Sequence, residues 1–225
     1  DAIASPTGLE VPFASVCKLV RKRLPNAAIV VDGAHVPGQL SVNLDELDAD
    51  YFTGNVHKWL FAPRGCAILY VRKHKQEACR SPIVSNMDEG TFADRFNVQA
   101  TRDETAFGSA AMAVEVFEKF GGMQGVTKYN TKLVRYGVEK LRNEWGTELL
   151  YEPTTFMFAI ACPIAEGKIK ADELMRLLLL YFRIQIAAFS LQDKLWIRVS
   201  CQVYNTEDDI DCLASAVLQL KSMLG

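Results

Sequence analysis

Asp32 and Lys58 are two side chains that could together do chemistry that neither does alone. Asp32 closes the aliphatic run Ala28-Ile29-Val30-Val31 and opens Asp32-Gly33-Ala34-His35. A carboxylate at the end of a buried strand is costly to desolvate unless a cation or a hydrogen-bond donor meets it. Lys58 lies in Gly54-Asn55-Val56-His57-Lys58-Trp59-Leu60-Phe61, with large apolar residues directly behind it. An amine packed among such groups is expected to lose proton affinity, because desolvation penalises the ammonium form. Such a lysine is a candidate Schiff-base former. Plainer roles compete with these: Asp32 as the cap of a turn before Gly33, and Lys58 as a lysine that snorkels from an apolar turn into water. His35, Asn55 and His57 add polar groups at the same two places. A ligand with an aldehyde, a basic ring nitrogen and acidic oxygens would find a partner for each.

Those residues can act together only if the chain brings their segments side by side. In open α/β sheets ligands gather at the carboxyl ends of the strands. Up to about residue 108, short apolar strands alternate with helical or loop segments, which predicts a mostly parallel sheet. Asp1 to Ser5 reads as a strand entering a Pro6–Gly8 turn, and Pro12 to Arg23 as a helix with Phe13, Val16, Cys17 and Val20 on one face. Ala28 to Val31 reads as a strand buried on both faces. Tyr51 to Thr53 and Cys66 to Val71 are further strands. Ser109 to Phe120 and Val126 to Trp145 are helices stopped by Gly121-Gly122 and Gly146. Beyond them, strands at Thr155–Ala161, Ile184–Phe189 and Leu195–Ser200 alternate with helices. One helix runs from Asp172, as its N-cap, to Phe182. The last is capped by Thr206 and carries Ile210, Leu213, Ala214 and Val217 on its apolar face.

Composition narrows the function classes. The net charge of −2 gives no basic field for nucleic acid or anionic membrane. The clusters Lys18-Arg21-Lys22-Arg23 and Arg72-Lys73-His74-Lys75 lack interleaved aromatics and read as solvated surface. The six cysteines are scattered without a Cys-x-x-Cys pair, which predicts reduced thiols, a cytoplasmic location and no metal site. Cys162 and Cys201 read as inert core thiols. The longest aliphatic run, Leu177 to Leu180, is far too short to span a bilayer and belongs to a buried helix.

Taken in order, Val31 to Gln39 (VDGAHVPGQ), Gly54 to Trp59 (GNVHKW) and Ala62 to Gly65 (APRG) resemble the class V aminotransferase superfamily, most closely its isopenicillin-N-epimerase-like and cysteine-desulfhydrase-like branch. Ile3 to Gly8, Thr101-Arg102-Asp103 and Ile197 to Ser200 followed by Tyr204-Asn205 fit the same family in order and spacing. The resemblance covers essentially the whole chain. It implies pyridoxal 5'-phosphate as cofactor, with Lys58 as the Schiff-base lysine and Asp32 as partner of the pyridine nitrogen. It implies His35 at the ring hydroxyl, Asn55 and His57 at the phosphate, and Ser5 near the ring hydroxyl. Thr101 would reach the phosphate of a neighbouring subunit, which implies a homodimer, although Ala100 stands where the motif usually has Gly. Arg198 would bind the substrate carboxylate, a pairing suited to a planar guanidinium.

The implied fold is the fold type I α/β architecture of pyridoxal-phosphate enzymes. Residues 1–120 would form part of the cofactor-binding large domain, 121–146 a linking helix and 147–225 a small α+β domain. The implied activity acts at Cα or Cβ of an amino acid through an aldimine and a Cα carbanion, epimerase-like or C–S-lyase-like. A class V aminotransferase is the alternative, and a non-catalytic fragment with an incomplete cofactor site is the rival from another class. Relatives carry a long amino-terminal portion with a phosphate-binding turn, and no comparable Gly/Ser/Thr-rich turn occurs here, so the expectation is that this portion is missing. Cysteine desulfurases carry a nucleophilic cysteine ahead of the carboxylate-binding arginine; Gln185 to Ile197 contains none.

Overall fold

The computed structural model describes residues 1–84, 87, 89–97, 101–165 and 167–224. Two compact units emerge: Asp1–Ala2 with Pro12–Phe117, and Ile3–Val11 with Glu118–Gly225. In the first, the expected helix is α1 (Phe13–Arg23), which buries Cys17 and leaves Val16 exposed. Its last turn holds Arg21, Lys22 and Arg23, where positive charge opposes the helix dipole favourably. Strands β1 (Val30–Asp32), β2 (Tyr51–Asn55) and β3 (Ala67–Val71) form a sheet in the order β1-β2-β3. The β1–β2 pair is parallel, with Val31 opposite Phe52 and Asp32 opposite Thr53. The β2–β3 pair is antiparallel. Only helix α2 (Val56–Trp59) and a short loop separate β2 from β3, too little chain for a parallel crossover.

Two local expectations change. β1 is buried on one face only: Val31 packs with Ala2, Cys17, Ile29, Val36 and Phe52, while Val30 turns to the other face and is 66% exposed. The first residues form no regular strand. They make a single bridge, Ile3 to Glu10, around the Ser5–Thr7 turn, which Gly8 N–H closes on the Ala4 carbonyl. Short helices α3 (Phe92–Asn97) and α4 (Thr105–Gly108) precede α5 (Ala110–Lys119).

The second unit is built on α6 (Gly122–Trp145), β4 (Met157–Ala161), α7 (Ala171–Phe182), β5 (Ala187–Leu191), β6 (Lys194–Ser200) and α8 (Glu207–Leu224). Its sheet is antiparallel in the order β4-β6-β5. Leu133, Leu141 and Trp145 of α6, Phe158 and Ile160 of β4, Leu174 and Leu178 of α7, and Ile210, Leu213 and Val217 of α8 share one core. Each such side chain contributes about 1.5–3 kcal/mol by leaving water. Gly146 ends α6 in the left-handed region, as the sequence predicts. The α6 helix begins at Gly122, earlier than expected, because a glycine at a helix start costs little. Lys170, not Asp172, is the N-cap of α7; Asp172 sits in the first turn, where its charge suits the dipole. Leu179 and Leu180 are exposed, so α7 buries one face and not the whole aliphatic run. β5 starts later than expected, and its hairpin turns at Gln192 and Asp193, both at positive φ. That geometry matches the twist of a two-residue hairpin, but the residue pair lacks the usual Asn-Gly signal. Thr206 precedes α8, and Asp209 accepts its backbone N–H at 2.9 Å, as in a capping box. Among the described residues no helix is long and apolar enough to cross a membrane.

Two of the basic residues expected to be solvated are not. Arg21 reaches the fully buried Asp50 at 2.8 Å, and Arg72 pairs with Asp48 at 3.4 Å. Asp50 Oδ2 also accepts the backbone N–H of Ile29, the residue before β1, at 2.8 Å. The carboxylate therefore joins the amino ends of β1 and β2. Burial pushes its carboxyl up, but the Arg21 hydrogen bond, the Ile29 N–H and the Arg21 charge outweigh burial and hold it below the usual carboxylate range. A depressed folded-state pKa stabilises above the unfolded value and loses that contribution as the carboxylate protonates in acid. Asp50→Asn should therefore cost about 1–3 kcal/mol at neutral pH, the cost of an unpaired buried donor. Urea unfolding at pH 7 and pH 3 should show the difference shrinking at the lower pH. An equal difference at both would mean that the charge of Asp50 stabilises nothing.

Candidate functional site

Parallel pairing puts the carboxyl ends of β1 and β2 at the same edge of the sheet. Asp32 is the last residue of β1, and Lys58 lies in α2, which follows β2 without a break. The loop after Asp32 stays on β2: Gly33 N–H donates to the Thr53 carbonyl at 2.8 Å and Asn55 N–H to the Ala34 carbonyl at 3.3 Å. Gly33 is required for this approach, since a Cβ there would lie 2.2 Å from the Phe52 ring. Gly38 is required twice, for its φ of +85° and because a Cβ would lie 2.6 Å from the Trp59 carbonyl oxygen. The two glycines hold the His35 loop against the Lys58 helix.

Lys58, His35 and Trp59 meet. Lys58 Nζ is 3.3 Å from His35 Nε2, and Trp59 Nε1–H donates to His35 Nδ1 at 3.2 Å. His35 and Trp59 are buried and Lys58 is half-buried. Gln39 Nε2–H donates to the His35 carbonyl at 2.9 Å. His57 Nδ1 lies 3.0 Å from the Cys66 carbonyl oxygen, which accepts only, so Nδ1 carries the proton. The same carbonyl accepts Val56 N–H at 3.0 Å and anchors the start of α2. His57 Nε2 is left as an acceptor in the neutral ring and donates to an anion only when the ring is charged. Phe61, just after α2, has a φ of +65°, a left-handed conformation costing about 1–2 kcal/mol in a residue with a Cβ. Asp32 is exposed, and its Oδ1 accepts Ala34 N–H at 2.9 Å. The turn cap that competed with a functional role is thus present, and it engages one of two carboxylate oxygens.

Within the second unit, Arg198 lies on β6 between Ala159 of β4 and Ala187 of β5. Its small cross-strand neighbours leave room for the guanidinium. Nη1–H donates to the Ser5 carbonyl, so the contact uses the backbone of Ser5; Nε is buried and has no partner among the described residues. Desolvation pulls the guanidinium below the usual arginine range against the opposing pull of Tyr151, whose own phenol is pushed up by burial. Tyr151 in turn donates its hydroxyl to the Thr7 carbonyl. Thr101 is exposed in a bend before α4, and Ala100 lies outside the described residues. Cys162 and Cys201 are buried, and burial raises their thiols to about 11 and about 12, so they stay protonated and inert. Among the described residues no cluster of His, Cys, Asp or Glu could hold a metal ion.

The sequence reading missed Trp59 as a polar partner, Gln39 and Tyr151. A signal existed for the first: a buried indole N–H must find an acceptor, and His35 was the one already singled out. The donor set fits pyridoxal phosphate: a half-buried amine, an exposed acid at the adjoining strand end, and the His35 imidazole beside the amine.

The family model for aminotransferase class-V matches residues 2–213. A probable chloroplastic L-cysteine desulfhydrase of Arabidopsis thaliana is 30% identical over 234 residues, covering 96% of this chain and 49% of that protein. An isopenicillin N epimerase of Streptomyces clavuligerus is 30% identical over 233 residues, covering 96% of this chain and 58% of that protein. The chain thus spans about half the length of these curated relatives. An apo cysteine desulfurase structure from Thermococcus onnurineus NA1 superposes with a TM-score of 0.79 at 18% identity, over 99% of this chain and 59% of that one, and speaks to the fold alone.

Proposed function

The chain belongs to the aminotransferase class-V family, whose enzymes depend on pyridoxal 5'-phosphate, and from that premise we propose that it acts at Cα and Cβ of an amino acid, as a C–S lyase or an epimerase. The observation that carries the proposal is the Lys58–His35–Trp59 contact, made at the strand ends where Asp32 also lies. Lys58 Nζ holds the cofactor and serves as the general base that removes the substrate's Cα proton. Asp32 holds a proton on the pyridine nitrogen, and Asn55 and His57 bind the phosphate. When bound, the cofactor supplies the electron sink that makes the Cα proton acidic. Arg198 takes the substrate carboxylate; its buried Nε, without a partner among the described residues, supports that role, because a buried donor gains most from an anion. With no cysteine between Gln185 and Ile197, the chain offers no persulfide acceptor there, which favours β-elimination or epimerisation over desulfuration.

Borohydride reduction of the protein with pyridoxal phosphate, followed by peptide mapping, should place the label on Lys58; a label on another lysine would sink the assignment. Asp32→Asn keeps the shape and loses the charge, so turnover should fall by at least about tenfold, or roughly 1.4 kcal/mol of barrier. A smaller loss would leave Asp32 as a turn cap alone. Arg198→Lys should weaken affinity for amino acids far more than for the corresponding simple amines, because a point charge replaces a planar fork. Equal losses for both would assign Arg198 a structural role.

A further inference from the structure

We propose that Trp59 is a positioning residue that fixes His35 as the neutral Nε2–H tautomer, making His35 a hydrogen-bond donor toward the space at Lys58 Nζ. An indole N–H donates and never accepts. At 3.2 Å from Trp59 Nε1, His35 Nδ1 must therefore offer its lone pair. The imidazolium and the Nδ1–H tautomer both carry a hydrogen at that nitrogen, and each would set two donors against each other. Both side chains are buried, so water does not readily take the place of either partner. The backbone leaves the rings little freedom to part: Gly38 lets the loop lie against the Trp59 carbonyl, and Gln39 grips the His35 carbonyl. The one proton of the neutral ring then sits on Nε2, 3.3 Å from Lys58 Nζ, which accepts it only as the free amine, since an ammonium has no lone pair.

His57 shows that this tautomer is imposed and not shared by the site. Its Nδ1 faces the Cys66 carbonyl, so it carries its proton on the opposite nitrogen. The imidazoles of His35 and His57 are thus set in opposite tautomers, one by an indole donor and one by a carbonyl acceptor.

The consequence for chemistry rests on the proposed function. Pyridoxal phosphate has an ionisable ring oxygen beside the aldehyde carbon that lysine captures. A histidine free to choose its tautomer could accept a proton from that oxygen or donate to it. One fixed as Nε2–H only donates, and so favours the anionic oxygen.

The test reads the tautomer directly. The chain has three histidines, so long-range proton–nitrogen correlation spectra of protein labelled with 15N-histidine can be assigned by single substitutions. In the cofactor-free protein His35 should show an unprotonated Nδ1 and a protonated Nε2, and His57 the reverse pattern as an internal reference. Trp59→Phe removes the donor and keeps an aromatic ring, and should turn the His35 pattern into an average of both tautomers while leaving His57 unchanged. If that variant does not fold, a benzothienyl analogue of tryptophan at position 59 keeps the bicyclic outline without the N–H and should give the same averaging. A protonated Nδ1 on His35 in the unsubstituted protein would overturn the proposal, as would a pattern that survives loss of the indole N–H. A second measurement reaches the cofactor. The preference for pyridoxal phosphate over its 3-O-methyl ether should fall by about tenfold in Trp59→Phe, and an unchanged preference would reject the donor role. Failure to label Lys58 would overturn the proposed function and leave the tautomer result standing.

Discussion

The parallel pairing of β1 with β2 is the constraint on which the site depends. An antiparallel pair would send Asp32 and Lys58 to opposite edges of the sheet, whatever their chemistry. The pairing is secured at the far end by a buried charge: Asp50 accepts the Ile29 N–H just ahead of β1 and is held by Arg21 from α1. A one-residue slip would break that contact and turn Val31 out of its cluster. A carboxylate remote from the candidate chemistry thereby sets the register that brings the chemistry together. Burying a charge is costly, and here two donors on different elements offset the cost.

At the carboxyl edge, close approach replaces charge. Gly33 and Gly38 let the loop after β1 lie on β2 and on α2, where any larger residue would collide with Phe52 or with the backbone of Trp59. The result is a set of short-range contacts, with His35 against Lys58 and Trp59 and His57 against the Cys66 carbonyl. Each imidazole has one nitrogen committed to the protein. The commitments differ in sign, so one ring presents a donor and the other an acceptor or, when charged, a second donor. Proton positions beside Lys58 are thus set by the protein before any ligand binds.

The second unit works by other means. Its helices α6, α7 and α8 bury a continuous apolar core, and Arg198 is held in the sheet beside alanines. Desolvation without a full complement of acceptors leaves the guanidinium short of partners, the state that favours capture of an anion. The buried thiols of Cys162 and Cys201 belong to this core, where burial keeps them protonated.

Much was legible in the sequence. The helix over Phe13–Arg23, the strand entering Gly54-Asn55 and the last helix follow from local periodicity, and the ordered motifs around Asp32, Lys58 and Arg198 marked the family. Local pattern carries such information because caps, glycine stops and apolar spacing act within a few residues. What it could not decide is which partners a side chain meets across long sequence distances. Val30 looked buried on both faces, yet only one is covered; Arg21 looked solvated, yet Asp50 meets it at the amino end of β2. Trp59 looked like packing, and only the fold shows its N–H aimed at His35 Nδ1. The residue types at the site were written in the sequence. The proton on His35 was decided by tertiary structure, because a tautomer depends on which donor or acceptor the fold sets against each nitrogen.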